Sequence, residues 1–400
     1  MQASAAPASA SFSEHCRPWP ARSGMKPAPE TMARFPSSQK PIIGLPLRVV
    51  VLADPVTTAG AMMLQKRRDV TAVSRAAQGG RAVPAIEVSD LEALGHGIER
   101  PEQVLVSRDG SVFASDKASA VAQVDPDGSL HRMGHAGGEP NGIALNADGH
   151  FLIANFGLGV LQVLDPVSGT VRAVVRDTVA GRPLRWINYV LVDSSGALWV
   201  SVCTESSDLV HTIAQGTPDG YLFRLGAGAS HPEVVADGVT FPNCMALDDK
   251  EEYLYVVRTL TADVVRFPIE GVRLGPEELF SPALGDRRPD EYGDHAAALL
   301  GQRAVTSRWG MADGCAFDAA DNLWVTLARA NRIVAVSPQR AVTTIVEDPD
   351  GRLISGPTSI AWGGADMRDV YFGSLETPYI VRGRSSIPGL PMVHQRAPRR

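Results

Sequence analysis

The chain has 400 residues, 44% of them hydrophobic, enough to bury a sizeable core in one large domain or two ordinary ones. Its 38 Lys and Arg against 44 Asp and Glu leave a net charge of −6, which speaks against the basic patch of a nucleic-acid binder. No apolar run approaches the roughly 20 residues that span a membrane. The four cysteines (Cys16, Cys203, Cys244, Cys315) form no CxxC pair, which disfavours a disulfide framework and a zinc finger.

In chain order, residues 1–41 are rich in Ala, Ser and Pro and lack apolar periodicity, so they are expected to be a disordered extension. They carry no basic segment followed by an apolar one of the secretory kind; with the unpaired cysteines this leads to the expectation of a cytoplasmic protein with reduced thiols. Residues 42–94 read as an N-terminal arm of undecided structure, with Ile42–Asp54 either a strand or part of a packed arm. From 95 to 395 one template recurs six times, at Glu102–Gly110, Asn141–Gly149, Asn188–Gly196, Asn243–Glu251, Asp313–Asp321 and Thr358–Asp366. The residues two to four after the opening one are apolar or Cys in every copy, and a polar turn follows; such short apolar runs read as strands buried on both faces.

A second strand follows each copy, at 112–114, 151–153, 198–200, 254–256, 323–325 and 370–372, rich in aromatic and β-branched residues. A third is expected at 121–124, 160–164, 221–225, 264–267, 332–336 and 379–382, and a fourth is visible at 171–175, 233–236 and 342–346. The pattern predicts an all-β fold, a six-bladed β-propeller of four-stranded antiparallel blades behind an irregular N-terminal extension. A pair of β-sandwiches would not repeat one template, and the WD40 signature is absent.

In a propeller the first strand of each blade lines the central channel. The opening residues Glu102, Asn141, Asn188, Asn243, Asp313 and Thr358 should therefore ring one mouth. Singly, an Asn or Asp before a strand is a turn residue; turn chemistry does not account for Glu102. An all-oxygen set with two carboxylates and no His or Cys suits a hard divalent cation such as Ca²⁺, whereas Zn²⁺ favours nitrogen and sulfur. The long connections 176–187, 203–219 and 282–312 extend over the same mouth as candidate lids or binding loops. His135, six residues before Asn141, is a candidate proton carrier there, weighed against a plain surface position; His295 is treated alike. No Gly-x-Ser-x-Gly elbow and no Gly-rich phosphate loop is present.

Phe241-Pro242-Asn243, Ala312-Asp313-Gly314, the Asn188–Gly196 segment and Ile387-Pro388-Gly389 together resemble the SMP-30/gluconolactonase/LRE-like family, over roughly residues 95–395. The resemblance implies a metal-dependent lactonase or esterase. It implies a cation, Ca²⁺ or another divalent ion such as Mn²⁺ or Zn²⁺, held by Glu102, Asn188, Asn243 and Asp313. Asp313 would double as base or nucleophile. Glu99 competes with Glu102 for the first position, because Glu99-Arg100-Pro101 is similar to the family's Glu-Gly-Pro; the repeat register favours Glu102. Asn141 and His135 are left as substrate-side candidates. The expected partner is a small lactone or ester, with no nucleic acid and no membrane, and the oligomeric state is unknown. A non-catalytic binding propeller and a strictosidine-synthase-like, metal-free enzyme are the competing readings.

Overall fold

The computed structural model describes residues 83–285 and 310–396, all of which belong to one compact unit, 79–400. The extension 1–41, most of the arm 42–94, and Asp286, Asp290, Glu291, Asp294 and His295 lie outside or largely outside these residues.

Six antiparallel sheets follow one another around the ring as blades. Their channel-side strands are Val104–Val106, Pro140–Leu145, Ile187–Val192, Pro242–Leu247, Ala312–Phe317 and Pro357–Gly363. These are buried almost throughout, as continuous apolar runs demand. Second, third and fourth strands pair outward in sequence order, so blades one, two, three and five are plain four-stranded meanders. In blade four the outer edge is split between Arg273–Leu274 and Glu278–Leu279, both pairing with Asp263–Glu270.

Blade six is completed from the other end of the chain. Glu92–Leu94 pairs antiparallel with the strand Ile380–Arg384, Glu92 opposite Arg382 and Leu94 opposite Ile380. The propeller thus begins upstream of residue 95, and the ring is closed by hydrogen bonds between residues nearly 300 positions apart, which removes an open edge. Leu91 is buried beside this strand, over Gly383.

Blades three and five share a turn device. Asp193 accepts from Trp199 Nε1 at 2.9 Å and Asp318 accepts from Trp324 Nε1 at 3.0 Å, so each carboxylate also fixes the turn after the first strand. The C-terminal segment crosses the far ends of the inner strands. Leu390 N donates to Phe317 O, His394 Nε2 meets Val106 O at 2.9 Å, and Gln395 Nε2 donates to Trp362 O at 2.8 Å. The C-terminal segment thus packs over the ends of the inner strands opposite the mouth.

Candidate functional site

The inner strands begin one residue before the expected opening residue in five blades, at Pro140, Ile187, Pro242, Ala312 and Pro357. The register slips at each of these starts, between Pro140 and Ile143, Ile187 and Tyr189, Pro242 and Met245, Ala312 and Cys315, and Pro357 and Ser359. Such a bulge bends the strand and re-aims a side chain. Two residues before the opening position the backbone is left-handed in five blades: Arg100 (φ 57°), Trp186 (47°), Phe241 (48°), Met311 (49°) and Gly356 (57°). Four of these are not glycine, so the surrounding fold must hold a conformation the residue itself disfavours.

At three strand starts, two of them bulged (blades three and five), a hydroxyl on the second strand accepts from an inner-strand N–H. Ser115 Oγ accepts from Gln103 N at 3.1 Å, Ser201 Oγ from Tyr189 N at 3.1 Å, and Thr326 Oγ1 from Gly314 N at 2.7 Å. Sequence reasoning missed these hydroxyls; the signal was a Ser or Thr at the last or next-to-last position of an otherwise apolar second strand.

All six opening side chains are buried. Thr358 Oγ1 donates to Glu102 O at 2.7 Å, which ties blade six to blade one. Asn141 is committed at both ends: its Nδ2 donates to Asn188 O at 3.1 Å and its Oδ1 accepts from Arg100 Nη1 at 2.7 Å. Asn243 Nδ2 donates to Thr259 Oγ1 at 3.0 Å, which orients the amide. Asn188 lies against the buried Cys203 thiol. Glu102 Oε2 stands 3.1 Å from Arg100 Nη2, out of line for a hydrogen bond, and is buried with no hydrogen-bond partner.

Glu102 and Asp313 come from blades one and five but share one electrostatic environment. Burial, and after it the Glu102 carboxylate, pushes Asp313 well above the ordinary carboxylate range, with Arg100 and Arg329 pulling the other way. Burial also raises Glu102, and Arg100 is the main opposing influence. Arg329 is itself buried and ion-paired to Glu376. Fully ionised, Glu102, Asp313 and Glu376 outnumber Arg100 and Arg329, and Glu139, paired to Lys117, also acts on Glu102. Among the described residues no three of His, Cys, Asp and Glu gather at one point. A cation here would therefore need amide oxygens as well as the two carboxylates. The donor chemistry fits: an orphaned buried carboxylate oxygen, a second carboxylate coupled to it, and oriented amides.

Glu99 is exposed and binds the blade through its backbone, its N–H donating to Asp116 Oδ1 at 2.9 Å. His135 is exposed on the loop entering blade two, on the mouth side. The connection 176–187 carries a small hairpin, Thr178–Val179 with Arg182–Pro183. The connection 203–219 carries helix α1, Leu209–Gln215, started by Asp208 accepting from His211 N and ended by Gly216 at φ 67°. Cys203, Cys244 and Cys315 are buried free thiols. Cys244, where the family pattern has Gly, places its Sγ 3.5 Å from Cys315 O.

The sequence profile of the SMP-30/Gluconolactonase/LRE-like region matches residues 101–376. Among curated proteins, the Adipocyte plasma membrane-associated protein of Danio rerio is 25% identical over 269 residues, covering 62% of this chain and 64% of that protein. The chain thus spans just under two thirds of this relative's length. Among solved structures, a gluconolactonase from Xanthomonas campestris superposes with a TM-score of 0.56 at 16% identity, covering 78% of this chain and 99% of that one. A calcium-binding protein, regucalcin, from Agrobacterium tumefaciens gives a TM-score of 0.54 at 14% identity, covering 78% and 98%. At such identities these two likenesses show the fold alone. Among the described residues no helix is long and apolar enough to cross a membrane.

Proposed function

The chain belongs to the SMP-30/gluconolactonase/LRE-like family, and from that premise we propose that it is a divalent-cation-dependent hydrolase that opens a lactone or cleaves a related ester. One observation supports the reading: the carboxylates of Glu102 and Asp313, from separate blades, are both buried, and the Glu102 charge adds to burial in raising Asp313. Two like charges in a low-dielectric site are a standing cost unless a cation answers them.

Glu102, Asn188, Asn243 and Asp313 are the residues that would hold the ion, and an all-oxygen set suits Ca²⁺ ahead of Mn²⁺ or Zn²⁺. Such an ion supplies Lewis acidity at the carbonyl oxygen of the ester and stabilises the oxyanion that develops there. The remaining work falls to the chain. The Asn243 amide hydrogen is taken up by Thr259, which leaves Oδ1 as the oxygen to present to the mouth. Asp313 is the candidate general base, taking a proton from the attacking water on a carboxylate oxygen. Arg329, locked by Glu376, adds fixed positive potential beside both carboxylates. The hairpin 178–183 and helix α1 sit on connections that open on this face and would limit water around a bound ester. His135 and Asn141 are the substrate-side candidates, Asn141 acting through Arg100.

A second reading has one observation in its favour. The Arg100–Glu102 ion pair offsets the Glu102 charge without any metal, as a binding propeller without catalysis would require. The experiment that separates the two is a screen of lactones and aryl esters on chelator-treated protein, repeated with added Ca²⁺, Mn²⁺ or Zn²⁺ and with Asp313→Asn. The hydrolase reading expects turnover restored by a divalent ion and lowered about 10²- to 10⁴-fold in the variant. Turnover indifferent to both chelation and the substitution removes it.

A further inference from the structure

Two residues ahead of the opening position, the left-handed slot holds Trp186, Phe241, Met311 or Gly356 in blades three to six. Blade one puts a cation there, Arg100, whereas the equivalent position of blade two, which is not left-handed, holds Glu139 paired to Lys117. In the other blades the carbonyl of the slot, or its blade-two equivalent Glu139, accepts the N–H that closes the second strand: Cys203 N to Trp186 O, Thr259 N to Phe241 O, Ala328 N to Met311 O. In blade one that bond is moved back one residue, Lys117 N donating to Glu99 O at 2.8 Å, and the Arg100 carbonyl instead accepts from Glu102 N at 2.8 Å. Arg100 is thus released from the ladder and folded back over the residue two positions on. Its guanidinium lands between two members of the ring, 2.7 Å from Asn141 Oδ1 and 3.1 Å from Glu102 Oε2.

We propose that Arg100 is the resident counter-cation of the mouth, and that a divalent ion binds there by exchanging with it. The proposal rests on the metal-binding reading above and adds a residue that sets the affinity. Three observations carry it. Glu102 Oε2 is buried and lacks a hydrogen bond even with the guanidinium beside it, so the pair is poised rather than locked. Arg329, the other cation at the mouth, is held by Glu376 and is not available to exchange. The Arg100 side chain keeps some exposure, 19%, so it has a path toward solvent once displaced. Exchange leaves the guanidinium free to swing toward an incoming acyl oxygen while its former place is taken by the ion. The turn in which Glu102 N donates to Arg100 O is expected to loosen with it.

The test is calorimetric titration of Ca²⁺ into chelator-treated wild type, Arg100→Lys and Arg100→Gln. Exchange predicts that Arg100→Gln, which keeps a hydrogen-bonding group but no charge, binds Ca²⁺ at least about tenfold tighter, the floor set by removing a like charge a few ångströms from a divalent ion even at the dielectric of water. Arg100→Lys should stay within about threefold of wild type on the same argument. Equal or weaker binding by Arg100→Gln overturns the proposal while leaving the metal reading intact. No Ca²⁺ or Mn²⁺ binding by any form overturns both. Hydrogen exchange on wild-type protein needs no variant to fold: the amides of Ile98, Glu99, Arg100 and Glu102 should exchange faster with Ca²⁺ than with chelator, and equal or slower exchange there means that Arg100 stays in place and the proposal is wrong.

Discussion

Gly314 offers the sharpest way to disturb the mouth without touching a charge. It directly follows Asp313, and its backbone is in an ordinary conformation, so an alanine there suffers no dihedral strain. A Cβ would nevertheless lie 2.2 Å from Thr358 O and 2.6 Å from Ser359 Cα, both backbone atoms of the inner strand of blade six. A comfortable carbon–oxygen contact is about 3.3 Å, so the two inner strands must separate by roughly 1 Å. Overpacking of this kind costs about 1–3 kcal/mol, a fall in Tm of roughly 5 °C for a domain of this size. The larger effect should be functional. Asp313 moves with the strand, and a displacement near 1 Å at a reacting group is worth about 10²-fold in rate. Gly110→Ala is the control: its Cβ meets nothing within 4 Å, and its φ of 90° makes the substitution strained at a turn far from the mouth. Scanning calorimetry, Ca²⁺ titration and ester turnover on the two variants separate strain from site geometry. Both should melt early; only Gly314→Ala should lose cation affinity and turnover. If Gly314→Ala matches Gly110→Ala in both functional readouts, the close approach of blades five and six does not position Asp313.

Three further outcomes follow from the same residues. Burial, then the Glu102 charge, raises the Asp313 carboxyl in the folded protein, so its stabilising contribution is complete below the unfolded Asp range and is lost as pH rises through the raised value. Metal-free protein should therefore melt higher at about pH 5 than at about pH 8, and Asp313→Asn should flatten that dependence and raise Tm at the upper pH; an unchanged slope in thermal melts contradicts this. Glu102→Gln should weaken Ca²⁺ binding by about tenfold or more, whereas Glu99→Gln, at an exposed position, should leave it within about twofold; the reverse order in a titration would move the first ligand to Glu99. Leu91→Ala, beside the strand that closes blade six, should cost about 2–4 kcal/mol in urea unfolding, and a loss below about 0.5 kcal/mol would mean that the closure contributes little.

The inner strands were legible because they are buried on both faces, so their apolar triplets stand at a fixed offset from the opening residue in all six blades. The strand Glu92–Leu94 was not, because Glu-Ala-Leu has no pattern of its own and is defined by Ile380–Arg382 at the other end of the chain. The register also separated Glu102 from Glu99: one falls in the buried ring and the other in solvent. What no periodicity encodes is the environment of that ring. Arg100 occupies a left-handed position without the glycine that usually announces one, and Arg329 meets Glu376 across 47 positions. Both partnerships are set by the closing of the ring and appear only once the blades are placed around an axis.

The relatives point in different directions, toward a gluconolactonase and a calcium-binding protein on one side and a membrane-associated protein on the other, and a shared propeller does not choose between them. The ring itself bears on the choice. The six opening positions are one structural slot repeated, with the same bulge at five of its strand starts and hydroxyl support behind several of them. Four blades fill the slot with Asn or Thr, each of which ties a neighbouring strand or packs against it without a charge. The slot therefore does not need a carboxylate to fold. Blades one and five nonetheless hold Glu102 and Asp313, both raised by burial, with the Glu102 charge raising Asp313 further and Arg100 and Arg329 pulling the other way. A charge placed where an amide would serve the fold suits something that binds, and on the hydrolase reading proposed above that something is a cation.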